Sequence, residues 1–234
     1  MNYAILLAGG SGSRTGSDIP KQFVKTGKKM MATHAVEPLL KCENINRVYL
    51  VISKEWKEEY LSDIKAVGAD TAKIMGFAEP GSTRQLSILK GLEAIMAENK
   101  VNDEDTVIIH DAARPFIEQK LIERCYEALP GRDGVMPVLP MKDTVYLSKD
   151  SKGISKLINR SEIVAGQAPE LFLLKKYYEA NKALLPDKIK SINGASEPAV
   201  IFGMDIAIIP GDEKNIKVTS EEDLKTYVNA CHSE

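Results

Sequence analysis

Apolar positions along this chain follow two alternating rhythms. One is short and nearly continuous, at Tyr3 to Leu7, Arg47 to Ser53 (RVYLVIS), Lys73 to Phe77, Thr106 to His110 (TVIIH) and Gly134 to Val138. Compact apolar, β-branched runs of this kind predict parallel strands covered on both faces. Between them lie longer stretches that predict helices: Met30 to Lys41, Trp56 to Ala66, the segment following Pro80 and Gly81 up to Glu98, and Gln119 to Leu129. Pro38 interrupts the first, because proline removes an i to i−4 hydrogen bond. Ser82 and Gln85 have the spacing of a capping box at the start of the third. Alternating strands and helices predict an α/β fold with a mostly parallel sheet, which takes ligands at the carboxyl ends of its strands. The loops carrying Arg14, Gly81 and Asp111 all fall at that edge.

The rhythm changes between Asp143 and Ala165. Two extended runs, TVYLS and ISKLI, flank Lys149 to Gly153, the pattern of a β-hairpin. Such a hairpin, inserted after the last central strand, either packs on its own domain or reaches a partner. Beyond it the pattern predicts a helix over Leu171 to Leu185, a strand over Asp205 to Ile209, and a short extended segment over Asn215 to Val218. A last helix follows, opened by a capping box of Thr219 and Glu222. No repeat, low-complexity tract or linker is evident. The expectation is one domain over residues 1–234: a Rossmann-like, mostly parallel sheet with helices on both faces and an inserted hairpin arm at 143–165.

Composition narrows the function. A chain of 234 residues that is 44% hydrophobic can bury a substantial core. With 31 basic and 33 acidic residues the net charge is −2, so the global balance points to neither nucleic acid nor membrane as a partner. Any basic site must be local. Cys42, Cys125 and Cys231 are widely spaced, which argues against a disulfide framework or a zinc site and suits a reducing cytoplasm. His34, His110 and His232 lack metal-ligand spacing. No targeting segment or membrane-length apolar run is read at the start of the chain.

The candidate chemistry begins after the first strand, in LAGGSGSRTG and the Pro20, Lys21, Gln22, Phe23 that follow. Glycines let backbone N–H groups approach an anion closely, and Arg14 and Lys21 add charge. The loop is not a dinucleotide fingerprint, since Thr15 stands where its third glycine would be, and it is not a P-loop. On its own it fits a phosphate cradle or an ordinary strand-to-helix turn. Asp111, at the carboxyl end of a buried strand, is placed to hold Mg²⁺ through oxygen ligands, with an N-cap paired with Arg114 as the lesser alternative. Lys217 reads as a solvated lysine, and His110 as structural.

Taken together, LAGGSGSR (7–14), PKQF (20–23), PGSTRQLS (80–87), HDAARPF (110–116), Asp143 with Thr144, and NIKVT (215–219) resemble one family along essentially the whole chain. It is the cytidylyltransferases that include 2-C-methyl-D-erythritol 4-phosphate cytidylyltransferase and ribitol-5-phosphate cytidylyltransferase. The resemblance implies that Leu7, Ala8, Gly9 and Gly10 line the cytidine, with Gly81, Ser82 and Ser87 reading base and ribose. Arg14 and Lys21 would clamp the triphosphate of CTP, and Asp111 would hold Mg²⁺. Arg114, Thr144, Arg160 and Lys217 would surround the phosphate of a sugar-alcohol acceptor, Lys217 sharing the catalytic work with Arg14 and Lys21. The hairpin would interlock two subunits, making a homodimer in which Thr144 and Arg160 serve the partner's site.

Within the family, Leu7 and Gly9 in the opening motif and AGQAP (165–169) resemble the ribitol phosphate branch, with the methylerythritol branch as the alternative. Ala168 stands where a threonine usually contacts the acceptor, and Gly194 where an acidic residue is usual. Those two losses are what a non-catalytic nucleotide-binding homologue would show; retention of Arg14, Lys21, Asp111 and Lys217 favours an enzyme. HDAARP and NIKVT discriminate against a sugar-1-phosphate nucleotidyltransferase.

Overall fold

A computed structural model describes residues 1–10 and 19–231. In chain order it holds β1 (Asn2–Leu7), a short ribbon of β2 (Lys25–Thr26) and β3 (Lys29–Met30), α1 (Met31–Lys41), β4 (Arg47–Val51), α2 (Lys54–Ala66), β5 (Ile74–Ala78), α3 (Arg84–Glu98), β6 (Thr106–Asp111), α4 (Gln119–Glu127) and β7 (Gly134–Pro140). The hairpin strands β8 (Val145–Leu147) and β9 (Lys156–Ile158) come next, then β10 (Val164–Gly166), β11 (Glu170–Leu173), α5 (Leu174–Lys182), α6 (Glu197–Ile201), β12 (Ile206–Pro210) and α7 (Glu221–Cys231).

Eight strands form the central sheet in the order β10-β7-β11-β6-β1-β4-β5, with β12 also on β7. Strands β5, β4, β1 and β6 run parallel, as do β7 and β12; only β10 and β11 run against them. The sheet is therefore mostly parallel. Alternate side chains of β1 enter opposite cores: Ala4 and Leu6 pack with Leu39, Tyr60 and Ile122 from α1, α2 and α4. Tyr3 and Ile5 pack with Ile88, Leu92 and Tyr177 from α3 and α5. Burial on both faces explains why these strands read as continuous apolar runs.

Three sequence expectations are corrected. Leu171 to Leu173 does not open a helix but completes β11, antiparallel between β6 and β7, with Leu171 opposite Ile108 and Phe172 opposite Val107. A short apolar run buried on both sides has no period that separates it from a helix start. Neither capping box forms where expected: the first gives way to a single N-cap bond one residue later, and the second shifts by one residue. The Thr83 hydroxyl, not Ser82, accepts from Leu86 N at 3.2 Å. Ser220 Oγ accepts from Asp223 N at 3.1 Å while Asp223 accepts from Ser220 N at 2.9 Å. Adjacent hydroxyl residues offer two registers, and the side-chain geometry selects one. Finally, residues 216–219 have no regular structure; cross-links to other loops hold that segment. The hairpin forms as expected, Val145 pairing with Ile158 and Leu147 with Lys156.

Candidate active site

Four loops at the carboxyl edge of the sheet enclose a cleft of about 540 Å³, a size usual for small-molecule sites. Leu7, Gly9 and Gly10 line it from the end of β1, and Lys21 and Gln22 from the short turn Lys21–Phe23. Gly81, Ser82, Thr83, Arg84 and Ser87 enter from the start of α3, Asp111 and Ala113 from the end of β6, and Lys217 from the loop after β12. The glycines are there for space. A Cβ on Gly9 would come within 2.2 Å of Pro80 Cβ, and one on Gly81 within 2.5 Å of Leu86 Cβ, so side chains would push the loops apart. Ser87 shapes the Gly81 turn directly, its Oγ accepting from Gly81 N at 3.0 Å and donating to Thr83 O at 2.9 Å.

The electrostatic centre is Asp111. One oxygen accepts from Arg84 Nε at 2.9 Å and the other sits 2.9 Å from Lys217 Nζ. Burial raises the pKa of this carboxyl, but the Arg84 and Lys217 cations outweigh it and hold the group well below the ordinary carboxylate range. Asp111 is thus charged and ends a strand; it is neither an N-cap nor paired with Arg114. The Arg114 guanidinium instead donates to Asn215 O at 2.8 Å, and its Nε is buried without a hydrogen-bond partner. Lys217 is no solvated lysine. Its segment is stitched in place by Val218 N to Ala113 O at 2.8 Å, by Lys21 Nζ to Val218 O at 2.6 Å, and by Asn215 Nδ2 to Ala168 O at 2.7 Å. Lys21 and Lys217 therefore reach the same cleft from loops joined to each other.

His110 is fully buried, and burial pushes its imidazole down to about 4. One ring nitrogen lies 3.2 Å from Arg114 O, so it is a neutral structural group, as its strand position suggests. Burial also raises the Glu170 carboxyl to about 7 despite nearby Arg84, and one of its oxygens has no hydrogen-bond partner.

Most of the anticipated site residues line this cleft: Leu7, Gly9, Gly10, Gly81, Ser82 and Ser87 expected at the nucleoside, Lys21 and Lys217 expected at the phosphates, and Asp111 expected at Mg²⁺. Ala8 adjoins them, but its methyl is buried and only its backbone faces the neighbouring turn. Arg14 lies outside the described residues. Thr144 and Arg160 stand elsewhere, on the exposed hairpin, around a separate hollow with Leu157, Ile158 and Asn159. Arg84 and Gln22 were passed over in the sequence although both sit inside motifs quoted for their neighbours. Their signal was spacing: Arg84 is the first residue of α3 and Gln22 directly follows Lys21.

A hard cation such as Mg²⁺ takes oxygen ligands, often one carboxylate plus substrate phosphates. Asp111 supplies that single carboxylate, and among the described residues no group of three acidic, His or Cys side chains offers a dedicated metal cage. The donor set fits a cation that arrives with phosphate ligands of its own.

A parallel-sheet edge with a glycine-lined cleft and converging lysines marks an enzyme that handles phosphates, and comparison gives its class: the protein is a nucleotidyltransferase that transfers a cytidylyl group. The model of the 2-C-methyl-D-erythritol 4-phosphate cytidylyltransferase family matches residues 2–229, and the chain belongs to that family. The fold is shared with 4-diphosphocytidyl-2C-methyl-D-erythritol synthase of Anaerococcus prevotii, at 24% identity and a TM-score of 0.82 over 100% of this chain and 96% of that one. The Francisella tularensis 2-C-methyl-D-erythritol 4-phosphate cytidylyltransferase is similar at 23% identity and a TM-score of 0.78, over 98% and 99% of the two chains. Bifunctional IspDF of Campylobacter jejuni matches at 25% identity and a TM-score of 0.73, over 96% of this chain and 53% of its own. The ribitol 5-phosphate reading drawn from the opening motif and from AGQAP finds no support in these likenesses; they favour the methylerythritol alternative.

Proposed function

We propose that this enzyme joins CTP and 2-C-methyl-D-erythritol 4-phosphate, forming a CDP-alcohol and pyrophosphate, a step of isoprenoid synthesis. The observation that carries the reading is the convergence of Lys21, Arg84 and Lys217 on a glycine-walled cleft around Asp111, in a chain whose family match is nearly complete. The acceptor phosphate oxygen attacks the α-phosphorus of CTP and pyrophosphate leaves in line. A phosphate monoester has its second pKa near 6, so the nucleophile is largely deprotonated at neutral pH. No general base is needed, which agrees with a buried, neutral His110.

What the chain supplies is position and charge. Lys21, with Arg14 from the same basic segment, holds the triphosphate; Lys217 and Arg114 meet the acceptor phosphate. Leu7, Gly9, Gly10, Gly81, Ser82 and Ser87 enclose the nucleoside. Asp111 would hold Mg²⁺, which when bound neutralises phosphate charge. The hairpin pairs with a second copy in a homodimer, bringing Thr144 and Arg160 to the partner's cleft; exposed Tyr146, Leu147, Ile154 and Leu157 give it an apolar surface to cover. The absence of a disulfide among Cys42, Cys125 and Cys231 suits the cytoplasm, and no helix among the described residues is long and apolar enough to cross a membrane.

The test is pyrophosphate release with CTP and each of methylerythritol 4-phosphate, ribitol 5-phosphate and glycerol phosphate, then with UTP, GTP and dTTP replacing CTP. Turnover with the methylerythritol compound and CTP is expected. Turnover confined to ribitol 5-phosphate would overturn the acceptor, and preference for another nucleotide would overturn the donor.

A further inference from the structure

We propose that Gln22 is a positioning residue that fastens the glycine turn after β1 to the basic turn carrying Lys21, so that the nucleoside and phosphate walls of the cleft move as one unit. The proposal rests on the reading of the cleft as a CTP site. Gln22 is 3% exposed, and its Nε2 donates to Ala8 O at 2.7 Å and to Gly10 O at 2.6 Å. Two carbonyl oxygens can only accept, so chemistry fixes which end of the carboxamide faces the turn. A trans peptide is planar, with N–H opposite C=O; holding the Ala8 carbonyl therefore also sets the direction of the Gly9 N–H, at the position where Gly9 closes on Pro80.

The flanks of Gln22 are anchored independently. Lys21 Nζ donates to Val218 O at 2.6 Å. Phe23 is buried and stacks on Trp56 of α2, ring centroids 4.7 Å apart. Gln22 thus sits on a fixed base and transmits that fixity to a turn whose glycines have little of their own. Because the anchors of Lys21 do not pass through the carboxamide, its loss loosens nucleotide binding more than it slows chemistry.

Two variants test this: Gln22→Glu, nearly isosteric but replacing the donor with an acceptor, and Gln22→Met, which keeps the volume and loses both bonds. Hydrogen exchange of the peptide spanning residues 3–10 is measured without nucleotide, and steady-state kinetics are measured with CTP and methylerythritol 4-phosphate. Faster exchange at residues 8–10 is expected, with a KM for CTP raised about tenfold, as two ordinary hydrogen bonds imply. The turnover number and the acceptor KM should stay within about threefold of wild type, the spread expected when those bonds touch neither the reacting atoms nor the acceptor. Unchanged exchange in both variants, an unchanged KM for CTP, or an equal rise in both KM values would overturn the proposal. Should Gln22→Glu fail to fold, Gln22→Met decides by the same readouts. If wild-type protein does not turn over CTP, the substrate reading falls, while the exchange measurement still decides the role of Gln22.

Discussion

In the cleft, Asp111 is buried between two cations, the glycine turn is bonded to Gln22, and the Lys217 segment is tied to three neighbouring loops. On the hairpin arm, Thr144 and Arg160 stand exposed, flanking two strands that pair with each other through three residue pairs in a sheet of their own. Arg160 bonds within the arm's own base, to Lys142 O at 2.6 Å. The described residues of the cleft are held by the same contacts that hold the fold. The arm has too little buried surface to be fixed alone, since isolated two-stranded hairpins are marginal in water. Charge placement and folding are therefore coupled in one region and separable in the other.

The largest expected effect comes from cutting that coupling. Asp111→Asn leaves Arg84 facing a neutral amide in a buried setting. Removing one partner of a buried ion pair typically costs about 3–5 kcal/mol; Lys217, whose side chain is 37% exposed, recovers part of that from water. The lower figure is expected, with loss of turnover, checked by calorimetry alongside pyrophosphate release. A variant as stable as wild type would show that the cleft's charges do not support the fold.

Lys21→Ala should lower kcat by about a hundredfold or more, the scale of losing one donor to developing charge, with the melting temperature little changed. Arg160→Ala should be equally inactive and equally stable. Mixing the two should restore about a quarter of wild-type activity if a two-fold dimer re-forms with one intact site in each mixed pair. Absence of recovery despite subunit exchange would place Arg160 in its own chain's site, or in none.

Smaller effects test the register of the loop walls. Thr83→Ala should cost about 1 kcal/mol through loss of a helix cap, and Ser82→Ala almost nothing; equal costs would restore the capping box read from sequence.

The finest effect concerns Glu170. The folded protein keeps its proton up to about pH 7, whereas the unfolded chain releases it near 4.5. Through Glu170 the native state thus binds more protons between those values, and this group's contribution to stability falls as pH rises through that window, opposed by the contribution of buried His110, whose imidazole is pushed down to about 4. Glu170→Gln should remove this slope, matching wild type below pH 4.5 and gaining on it toward pH 7. Parallel pH curves would remove the buried carboxyl from the balance.

Much of the fold was legible because strands buried on both faces write themselves as apolar runs, as at Arg47 to Val51 and Thr106 to Asp111. Strand β11 was not, since Leu171 to Leu173 pairs antiparallel with segments far away in sequence, and nothing local distinguishes that from a helix entrance. At the cleft, glycines and lysines were readable as types. The partnership of Asp111 with Arg84 was not, because it joins residues 27 positions apart across two different strand ends. Within PGSTRQLS nothing local sets Arg84 apart; the fold alone brings the Asp111 carboxylate against it.

The antiparallel course of β10 and β11 has a consequence for how such an enzyme can change. Strand β7 ends at Pro140, at the edge of the sheet that bears the cleft, and Val164 pairs back onto that same residue. The chain between them leaves and re-enters at one point, with no crossover to re-thread. Mutation can lengthen, shorten or rewrite the tip at Lys149 to Gly153 as a cassette while the register of the central strands stays put. Lineages built on this plan can revise the arm without disturbing the sheet edge that carries the cleft.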